Sequence, residues 1–200
     1  MAGGLLVLSG PSGCGKSSLV NEILKEEKEV YFSISTTTRE IRDGEKEGIN
    51  YFYVSKEEFQ KGIEYGEFLE WAEVHGNYYG TSIKPVKKAL SEGKLVIFDI
   101  DVQGHEIVKK KFPLLTTSVF ITTPTIKELE NRLIKRATDD TETIQKRLIN
   151  AKKEIQRADE YEFFIINDDF SKALEELKSI IKVAKIKKPL DELQTFIQNW

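Results

Sequence analysis

The sequence has little cysteine and proline and lacks long apolar runs, and each shortage excludes a class of protein. Its 200 residues contain one cysteine, which cannot close a disulfide within the chain, so a disulfide-framed secreted module is excluded. Five prolines and 13 glycines beside 40% hydrophobic residues exclude a collagen-like or disordered chain. No apolar run reaches the roughly 18 residues of a membrane span, and residues 1–4 lack the basic segment of an export signal. We therefore expect a cytoplasmic protein without a membrane partner.

Net charge is also small. Lysine and arginine total 30 against 33 acidic residues, a net charge of −3. Because bulk positive charge is what draws a protein to polyanions, we expect no nucleic-acid partner, and any phosphate site must be local. The length predicts one domain with its own hydrophobic core.

Five short apolar runs, separated by amphipathic helical patterns, predict an α/β fold with a parallel sheet buried on both faces. The predicted strands are 5–8, 31–34, 95–98, 118–121 and 163–166. An apolar stripe at 3.6-residue spacing predicts one long helix over 141–161. Thr125 with Glu128 and Ser55 with Glu58 are typical of capping boxes. Residues 35–82 interrupt the strand–helix alternation and indicate an inserted antiparallel subdomain.

The segment after the first predicted strand matches a phosphate-binding loop. It reads G-x-x-x-x-G-K-[ST] between a strand and a helix, the context that this motif requires. The motif is formed by Gly10, Pro11, Ser12, Gly13, Cys14, Gly15, Lys16 and Ser17. Its backbone N–H groups can turn toward a phosphate, Lys16 can reach the β and γ phosphates, and the Ser17 hydroxyl can ligate Mg²⁺. A glycine-rich turn without a ligand is the alternative interpretation.

Two further residues belong to this part of the prediction. Asp99 follows the predicted strand over 95–98, so its carboxylate is expected near the metal and its waters. Cys14 has two interpretations, a thiol whose pKa is lowered by the amide dipoles of the loop or an inert filler of a variable motif position. Together the loop and Asp99 predict binding of a nucleoside triphosphate with Mg²⁺.

The insertion carries side chains that suit a phosphorylated acceptor. Arg39 and Arg42 follow a strand end, where guanidinium groups can hold a phosphate in bidentate fashion, and Tyr51 and Tyr79 can add phenolic donors. Surface arginines and half-buried aromatic packing are the alternative. Glu70 lies among apolar neighbours, and its ionised carboxylate would accept from the adjacent N–H groups of guanine but face a ring-nitrogen acceptor of adenine.

These segments, taken in order, resemble the guanylate kinase family from Leu5 to about Ala184. The resemblance is carried by residues 9–17, by 35–39 with Arg42, Gly44 and Glu45, and by Gly48, Tyr51, Glu70, 76–81 and 99–104. It implies an ATP:GMP phosphotransferase that requires Mg²⁺, has ATP and GMP as its partners and exists as a monomer or homodimer. The implied fold is a P-loop-type parallel sheet flanked by helices, with an inserted antiparallel GMP-binding subdomain and a helical lid.

The resemblance divides one domain over 1–200 into four parts. They are a core of 1–34, 83–125 and 161–188, a GMP-binding insertion of 35–82, a lid of 126–160 and a C-terminal tail of 189–200. The tail runs past the typical end of the family, and its apolar residues at helical spacing indicate that it docks on the core.

Site residues follow from the resemblance position by position. ATP would be bound by Gly10, Pro11, Ser12, Gly13, Cys14, Gly15, Lys16, Ser17 and Ser18, with Arg132 in the lid and Asn167 near the adenine. GMP would be bound by Ser35, Arg39, Arg42, Glu45, Tyr51, Glu70, Tyr79, Thr81 and Asp101. The expected catalytic residues are Lys16, Arg136 and Arg147, and the expected metal-site residues are Ser17 and, through water, Asp99.

The sequence departs from the family pattern in the lid, where Arg136-Ala137-Thr138 replaces Arg-Gly-Thr and predicts a stiffer hinge. Thr81 stands where serine is common and keeps the hydroxyl. Two other functions remain as alternatives. An interaction module built on this fold would have lost the phosphate loop, and a kinase for a phosphorylated ribose would not need Ser35, Glu70 and Thr81 together.

Overall fold

A computed structural model of the chain describes residues 3–74, 76–136, 140–187 and 197–200. Ala137, Thr138 and residues 188–196 therefore lie outside the described residues, and with them the predicted lid hinge and most of the predicted tail. The strands are β1 Leu5–Ser9, β2 Val30–Phe32, β3 Thr36–Thr37, β4 Phe52–Tyr53, β5 Phe68–Val74, β6 Asn77–Ser82, β7 Leu95–Asp99, β8 Thr116–Thr122 and β9 Phe163–Ile166. The α-helices are α1 Lys16–Glu26, α2 Lys56–Glu64, α3 Ile83–Ser91, α4 Val102–Lys111, α5 Ile126–Lys135, α6 Thr141–Glu154 and α7 Phe170–Ile186.

The central sheet confirms the predicted α/β fold. Its five strands are all parallel and lie in the order β2-β7-β1-β8-β9. Every residue of β1 and β8 is buried, as expected for strands covered by helices on both faces. In the register Leu8 pairs with Asp99 of β7 and with Val119 of β8. The carboxyl ends of three central strands therefore meet at one edge.

The insertion forms a second sheet in the order β4-β3-β6-β5. The predicted antiparallel arrangement is right for the pairs β3–β6 and β5–β6, and it is wrong for β3–β4, which are parallel. The loop between β3 and β4 explains the difference, because it returns the chain to the start of β3, where the Phe52 amide donates to the Ser35 carbonyl. β5 and β6 form a hairpin whose register faces Glu70 with Thr81.

The predicted helix over 141–161 is two elements. α6 ends at Glu154, and a 3₁₀ helix continues over Ile155–Glu160. Ile144, Leu148 and Ala151 of the apolar stripe pack in the main core, whereas Ile155 and Ala158 pack against a separate cluster around Phe120 and Tyr161. The tighter turns accompany this change of packing partner.

The residues predicted as helix caps, Ser55 and Thr125, are the N-caps of α2 and α5. Ser55 forms a complete capping box at α2, because its hydroxyl accepts from the Glu58 amide while the Glu58 carboxylate accepts from the Ser55 amide. At α5 the Thr125 hydroxyl accepts from the Glu128 amide, but the Glu128 carboxylate pairs with Arg132 instead. Within the described ranges, none of the helices has the length and apolar character that crossing a membrane requires.

Replacing the α2 cap should destabilise the protein. We expect Ser55→Ala to lower the free energy of unfolding by about 1 kcal/mol, because an amide at the start of α2 loses its acceptor. Denaturant titration measures the change, with Ser179→Ala inside α7 as the matched control, which should be near neutral since alanine favours helix interiors. Equal stability of Ser55→Ala and the parent chain would contradict the capping role.

Candidate nucleotide site

The loop between β1 and α1 has the geometry of a phosphate cradle. Gly10, Gly13 and Gly15 have φ values of 141°, 99° and 99°, which glycine adopts without strain. A Cβ at Gly10 would lie 1.9 Å from the Ile121 carbonyl oxygen, so only glycine fits there. Because the N-cap of α1 is Gly15, no side chain of that residue covers the first amides of the helix. The positive end of α1 therefore faces the concave side of the loop.

Lys16 lies inside this loop. Its Nζ donates to the Gly10 carbonyl at 2.6 Å and to the Pro11 carbonyl at 3.4 Å, and it lies 3.7 Å from a carboxylate oxygen of Asp99. Burial by itself would lower the pKa of Lys16, but the negative groups around it outweigh burial and raise that pKa. Lys16 is therefore a fixed positive charge at the centre of the loop.

Asp99 and Ser17 are the two residues that the sequence predicts for a metal site. Asp99 ends β7 beside Leu8 of β1, and burial raises the pKa of its carboxyl while Lys16 opposes that rise. The Ser17 side chain is exposed in the first turn of α1. Among the described residues, no three acidic, histidine or cysteine side chains gather to hold a metal by themselves. A hydroxyl and a carboxylate suit Mg²⁺, which commonly keeps waters and takes its other ligands from substrate phosphates.

Asn167 fixes the back of the loop. Its side-chain amide donates to the Cys14 carbonyl at 2.8 Å, and its backbone amide donates to the Thr122 carbonyl at 2.7 Å. The side-chain nitrogen lies so close to Gly15 that a Cβ there would approach it to 2.3 Å. Cys14 is fully buried, and burial raises the pKa of its thiol, so the inert-filler interpretation is correct and the lowered-pKa interpretation is wrong.

Of the three arginines predicted for the lid, the structure brings one to the loop. Arg147 of α6 donates to the Ser12 hydroxyl. Arg132 pairs with Glu128 of its own helix at 2.8 Å. Arg136 is the exposed C-cap residue of α5.

The residues predicted to bind the acceptor phosphate form a cluster around Glu45. Arg39 donates through Nη2 to both oxygens of Glu45, at 2.8 and 2.9 Å. One of these oxygens also accepts from the Arg42 amide at 3.0 Å and from the Tyr53 hydroxyl at 2.7 Å. Burial alone would raise the pKa of Glu45, but these hydrogen bonds lower it, so Glu45 stays ionised and holds Arg39 in place.

Tyr51 and Tyr79 complete this cluster. Their rings meet edge to face with centroids 5.9 Å apart, and the guanidinium of Arg39 lies 5.4 Å from the centre of the Tyr51 ring. Burial, together with the charge of Asp99, raises the pKa of Tyr51 to about 12, while Lys16 acts in the opposite direction. The charges of Asp99 and Lys16 therefore act on Tyr51, which puts the arginine–tyrosine cluster within electrostatic range of the phosphate loop.

The insertion also holds a buried carboxylate, that of Glu70. The residue is 4% exposed, and its Oε1 accepts from the Thr81 hydroxyl at 2.5 Å. Burial raises the pKa of Glu70 to about 7, against the opposing hydrogen bond from Thr81. Ser35 is buried just before β3, and Asp101 caps α4 by accepting from the Gly104 amide at 2.9 Å.

Sequence reasoning missed two residues. Tyr53 holds Glu45, and its place two residues after Tyr51 on one strand face was the available signal. Glu154 of α6 lies half-buried near Lys16 and Cys14, and burial raises its pKa. Its position seven residues after Arg147, two helical turns along, was the signal in that case.

A parallel sheet with this loop after its first strand, and an inserted sheet that carries an arginine–tyrosine cluster, are typical of a P-loop kinase of the nucleoside monophosphate type. The family model described as Guanylate kinase matches residues 3–184. A guanylate kinase of Sulfurimonas denitrificans is 54% identical over 198 residues, covering 99% of this chain and 96% of its own. One from Helicobacter pylori is 56% identical over 178 residues, covering 89% and 86%.

A solved structure agrees with the sequence relatives. The crystal structure of guanylate kinase from Anaplasma phagocytophilum superposes with a TM-score of 0.77 at 32% identity, covering 94% of this chain and 88% of the other. The chain therefore belongs to the guanylate kinase family. As a member of that family it is a phosphotransferase that phosphorylates GMP with ATP.

Removing the Tyr53 hydroxyl should loosen Arg39. We expect Tyr53→Phe to raise the KM for GMP about threefold with little change in kcat, because Glu45 loses one charge-assisted hydrogen bond. Steady-state kinetics measure the effect. Tyr65→Phe is the matched control, because Tyr65 is 78% exposed at the end of α2 and should leave both constants unchanged. An unaltered KM for GMP in Tyr53→Phe would remove Tyr53 from the site.

Proposed function

We propose that the chain catalyses Mg²⁺-dependent transfer of the γ-phosphoryl group of ATP to GMP or dGMP, giving ADP and GDP or dGDP. It would serve purine nucleotide metabolism and GMP recycling in the cytoplasm, as a monomer or homodimer. One observation carries the proposal. The charges of Lys16 and Asp99 act on Tyr51 of the Arg39–Tyr51–Tyr79 cluster, which supports a donor phosphate at the loop meeting an acceptor phosphate at the cluster.

The phosphate loop binds ATP in this proposal. The backbone N–H groups of the loop over 10–18, to which Pro11 contributes none, would surround the phosphates, and Lys16 would neutralise charge on the β and γ groups. Asn167 supports the loop through the Cys14 carbonyl, and Arg132 lies on the helix that packs against Gly13. Since phosphoryl transfer needs positioning and charge neutralisation rather than a covalent intermediate, no nucleophilic side chain is required.

Ser17 and Asp99 would hold Mg²⁺, Ser17 directly and Asp99 through water. When bound, the ion neutralises charge on the phosphate oxygens of ATP. The pair Lys16–Asp99 at 3.7 Å keeps the carboxylate at the mouth of the loop, where its charge balances the lysine. The role of Asp99 in this arrangement is to orient water molecules.

Arg39, Arg42, Tyr51 and Tyr79 would hold the GMP phosphate. That phosphate is already anionic at neutral pH, so the acceptor oxygen needs no strong general base. Glu45 acts indirectly, because it fixes the guanidinium of Arg39 with two hydrogen bonds. The Tyr51 hydroxyl remains a protonated donor, because burial raises its pKa.

Glu70, Thr81 and Ser35 would read the base. An ionised carboxylate accepts from the ring N–H and amino group of guanine, whereas adenine presents an acceptor and leaves a buried charge unpaired. Asp101 supports this pocket from the start of α4. In this scheme the enzyme recognises the base and the phosphate of its acceptor. Because dGMP has the same base and phosphate as GMP, it is included as an acceptor.

Arg136 and Arg147 would stabilise the transferring phosphoryl group. α6 reaches the loop through Arg147 and Ser12, so an arginine of the predicted lid already lies beside the phosphate cradle. Closure of α5 and α6 over the two nucleotides would exclude water, which otherwise consumes ATP by hydrolysis.

One assay distinguishes the proposed function from the two alternatives, a kinase for a phosphorylated ribose and an interaction module. ADP release from MgATP is measured with GMP, dGMP, AMP, CMP, UMP or ribose 1,5-bisphosphate offered separately at equal concentration. Turnover confined to GMP and dGMP supports the proposal. Turnover with ribose 1,5-bisphosphate would contradict the base-reading role of Glu70, and no turnover with any acceptor would favour an interaction module.

Loss of the arginine at the loop should slow the chemical step. We expect Arg147→Ala to lower kcat by a factor on the order of 10² to 10³ and to change the KM for GMP little, because its charge acts on the transferring group. Lys146→Ala is the matched control, since Lys146 lies one residue away and is exposed in an ion pair with Glu142. A kcat equal to that of the parent enzyme would exclude Arg147 from catalysis.

Binding of GMP should depend on the ionisation of Glu70. The protonated carboxyl offers one acceptor fewer, so the affinity for GMP should fall as pH drops below the Glu70 pKa of about 7. Calorimetric titration of the enzyme with GMP between about pH 5.5 and 8.5 measures this. Glu70→Gln should bind GMP at least tenfold more weakly, on the order expected for losing a charged hydrogen bond. The GMP phosphate also titrates in this range, and Glu70→Gln retains only that part of the dependence. Identical pH profiles for the two proteins would contradict the assignment.

A further inference from the structure

Helix α4 of the core packs against strand β5 of the insertion, beside the buried carboxylate of Glu70. Two contacts define this seam. Lys111, at the end of α4, donates from Nζ to the Leu69 carbonyl at 2.5 Å. Near the start of α4, a Cβ at Gly104 would lie 2.9 Å from Oε2 of Glu70. Helix α4 of the core therefore contacts both the carboxylate of Glu70 and the backbone of Leu69.

Gly104 is needed for space and not for backbone conformation. It lies within α4 with helical backbone angles that any residue adopts. Glycine in a helix interior costs about 1 kcal/mol relative to alanine. The nearest atom to the missing Cβ is the Glu70 oxygen, and the next are side-chain atoms of Ile100 at 3.2 and 3.3 Å. The helical backbone therefore gives no reason for glycine at position 104, whereas a methyl group there would collide with the buried carboxylate.

The carboxylate of Glu70 is confined from several directions. Oε1 accepts from Thr81 across the hairpin, and Oε2 lies over Gly104. The amide of Gly104 is itself bonded to Asp101, so the first turn of α4 is fixed under the carboxylate. With a side chain only 4% exposed, Glu70 has little room to adopt another rotamer without moving β5 or α4.

We propose that Gly104 is a specificity-determining positioning residue, because its missing side chain seats the Glu70 carboxylate for recognition of the acceptor base. This inference rests on the proposed role of Glu70 in reading guanine. It assigns part of base selection to the core helix α4, although the base-reading side chains Ser35, Glu70 and Thr81 all lie in the insertion. A methyl group at position 104 would displace Oε2 and misalign both carboxylate oxygens with the N–H groups of guanine.

The first experiment compares Gly104→Ala with the parent enzyme. We expect the KM and the dissociation constant for GMP to rise about tenfold, with kcat and the KM for ATP within about twofold of the parent values. The preference for GMP over IMP, which lacks the amino group, should fall by a similar factor. Lys110→Ala is the matched control, because Lys110 is exposed on the same helix and forms an ion pair with Glu106 of that helix. It should leave all these constants unchanged.

A shorter carboxylate should relieve the collision. We expect Glu70→Asp to cost less GMP affinity in the Gly104→Ala background than in the parent background, because aspartate withdraws the oxygens from the added methyl group. Such non-additivity is typical of residues in direct contact, and a purely structural role of Gly104 would not produce it. Strictly additive losses would overturn the inference.

A second variant covers the case in which Gly104→Ala does not fold. Lys111→Met removes the bond to the Leu69 carbonyl and leaves Gly104 in place. A raised KM for GMP with an unchanged KM for ATP in this variant supports positioning by α4, and unchanged values for both substrates contradict it. Thermal unfolding, monitored alongside, identifies which variants are folded.

The outcomes separate this inference from the proposed function. If Glu70→Gln abolishes the preference for GMP while folded Gly104→Ala retains it, the positioning role is wrong and the base-reading role stands. If Glu70→Gln also retains the preference, the assignment of Glu70 itself is wrong, and the inference falls with it. Equal losses toward ATP and GMP in Gly104→Ala would show a general structural defect and overturn the inference.

Discussion

The parallel pairing of β1 with β7 is the constraint on which the rest of the molecule depends. Its register sets Leu8 opposite Asp99, so the loop that follows β1 and the carboxylate that ends β7 share one edge of the sheet. Parallel strands require crossover connections, and the one between β2 and β7 contains the whole insertion and α3. Because β2 ends at the same edge, the insertion begins beside the phosphate loop. Topology alone thus places the start of the insertion at the edge that carries the phosphate loop, and packing then decides the exact positions of its side chains.

Buried charge is the second theme of the site. Glu70 is buried, and Lys16 and Asp99 are only partly exposed, which is costly unless each charge finds partners. Lys16 has two carbonyls and Asp99, and Glu45 satisfies the arginine of the acceptor cluster. Glu70 accepts from the Thr81 hydroxyl, but burial outweighs that hydrogen bond and raises the pKa of Glu70. In the proposed function, the N–H groups of the base would add the hydrogen bonds that stabilise the ionised carboxylate.

The parts of this structure that local patterns encode were predictable. Apolar runs located all five parallel strands, and the phosphate-loop motif located the glycines and Lys16. The parallel β3–β4 pair and the change from α6 to a 3₁₀ helix were not, since both follow from long-range packing. The same holds for Tyr53, whose role depends on a carboxylate eight residues away. Gly104 appears in the sequence as an ordinary helix residue, and only the approach of β5 shows why it is glycine.

The position of Lys16 has a consequence for affinity. Its ammonium already donates to the carbonyls of Gly10 and Pro11, so a phosphate that enters the loop exchanges these bonds for new ones instead of adding bonds to a bare charge. The net gain in binding free energy is therefore the difference between a Lys16 bond to a phosphate oxygen and a Lys16 bond to a carbonyl oxygen. This gain grows with the negative charge of the ligand. Adenosine, which carries no phosphate, would not replace these carbonyl bonds. We therefore expect affinity for the loop to increase with the phosphate charge of the ligand, independently of any contact with the base.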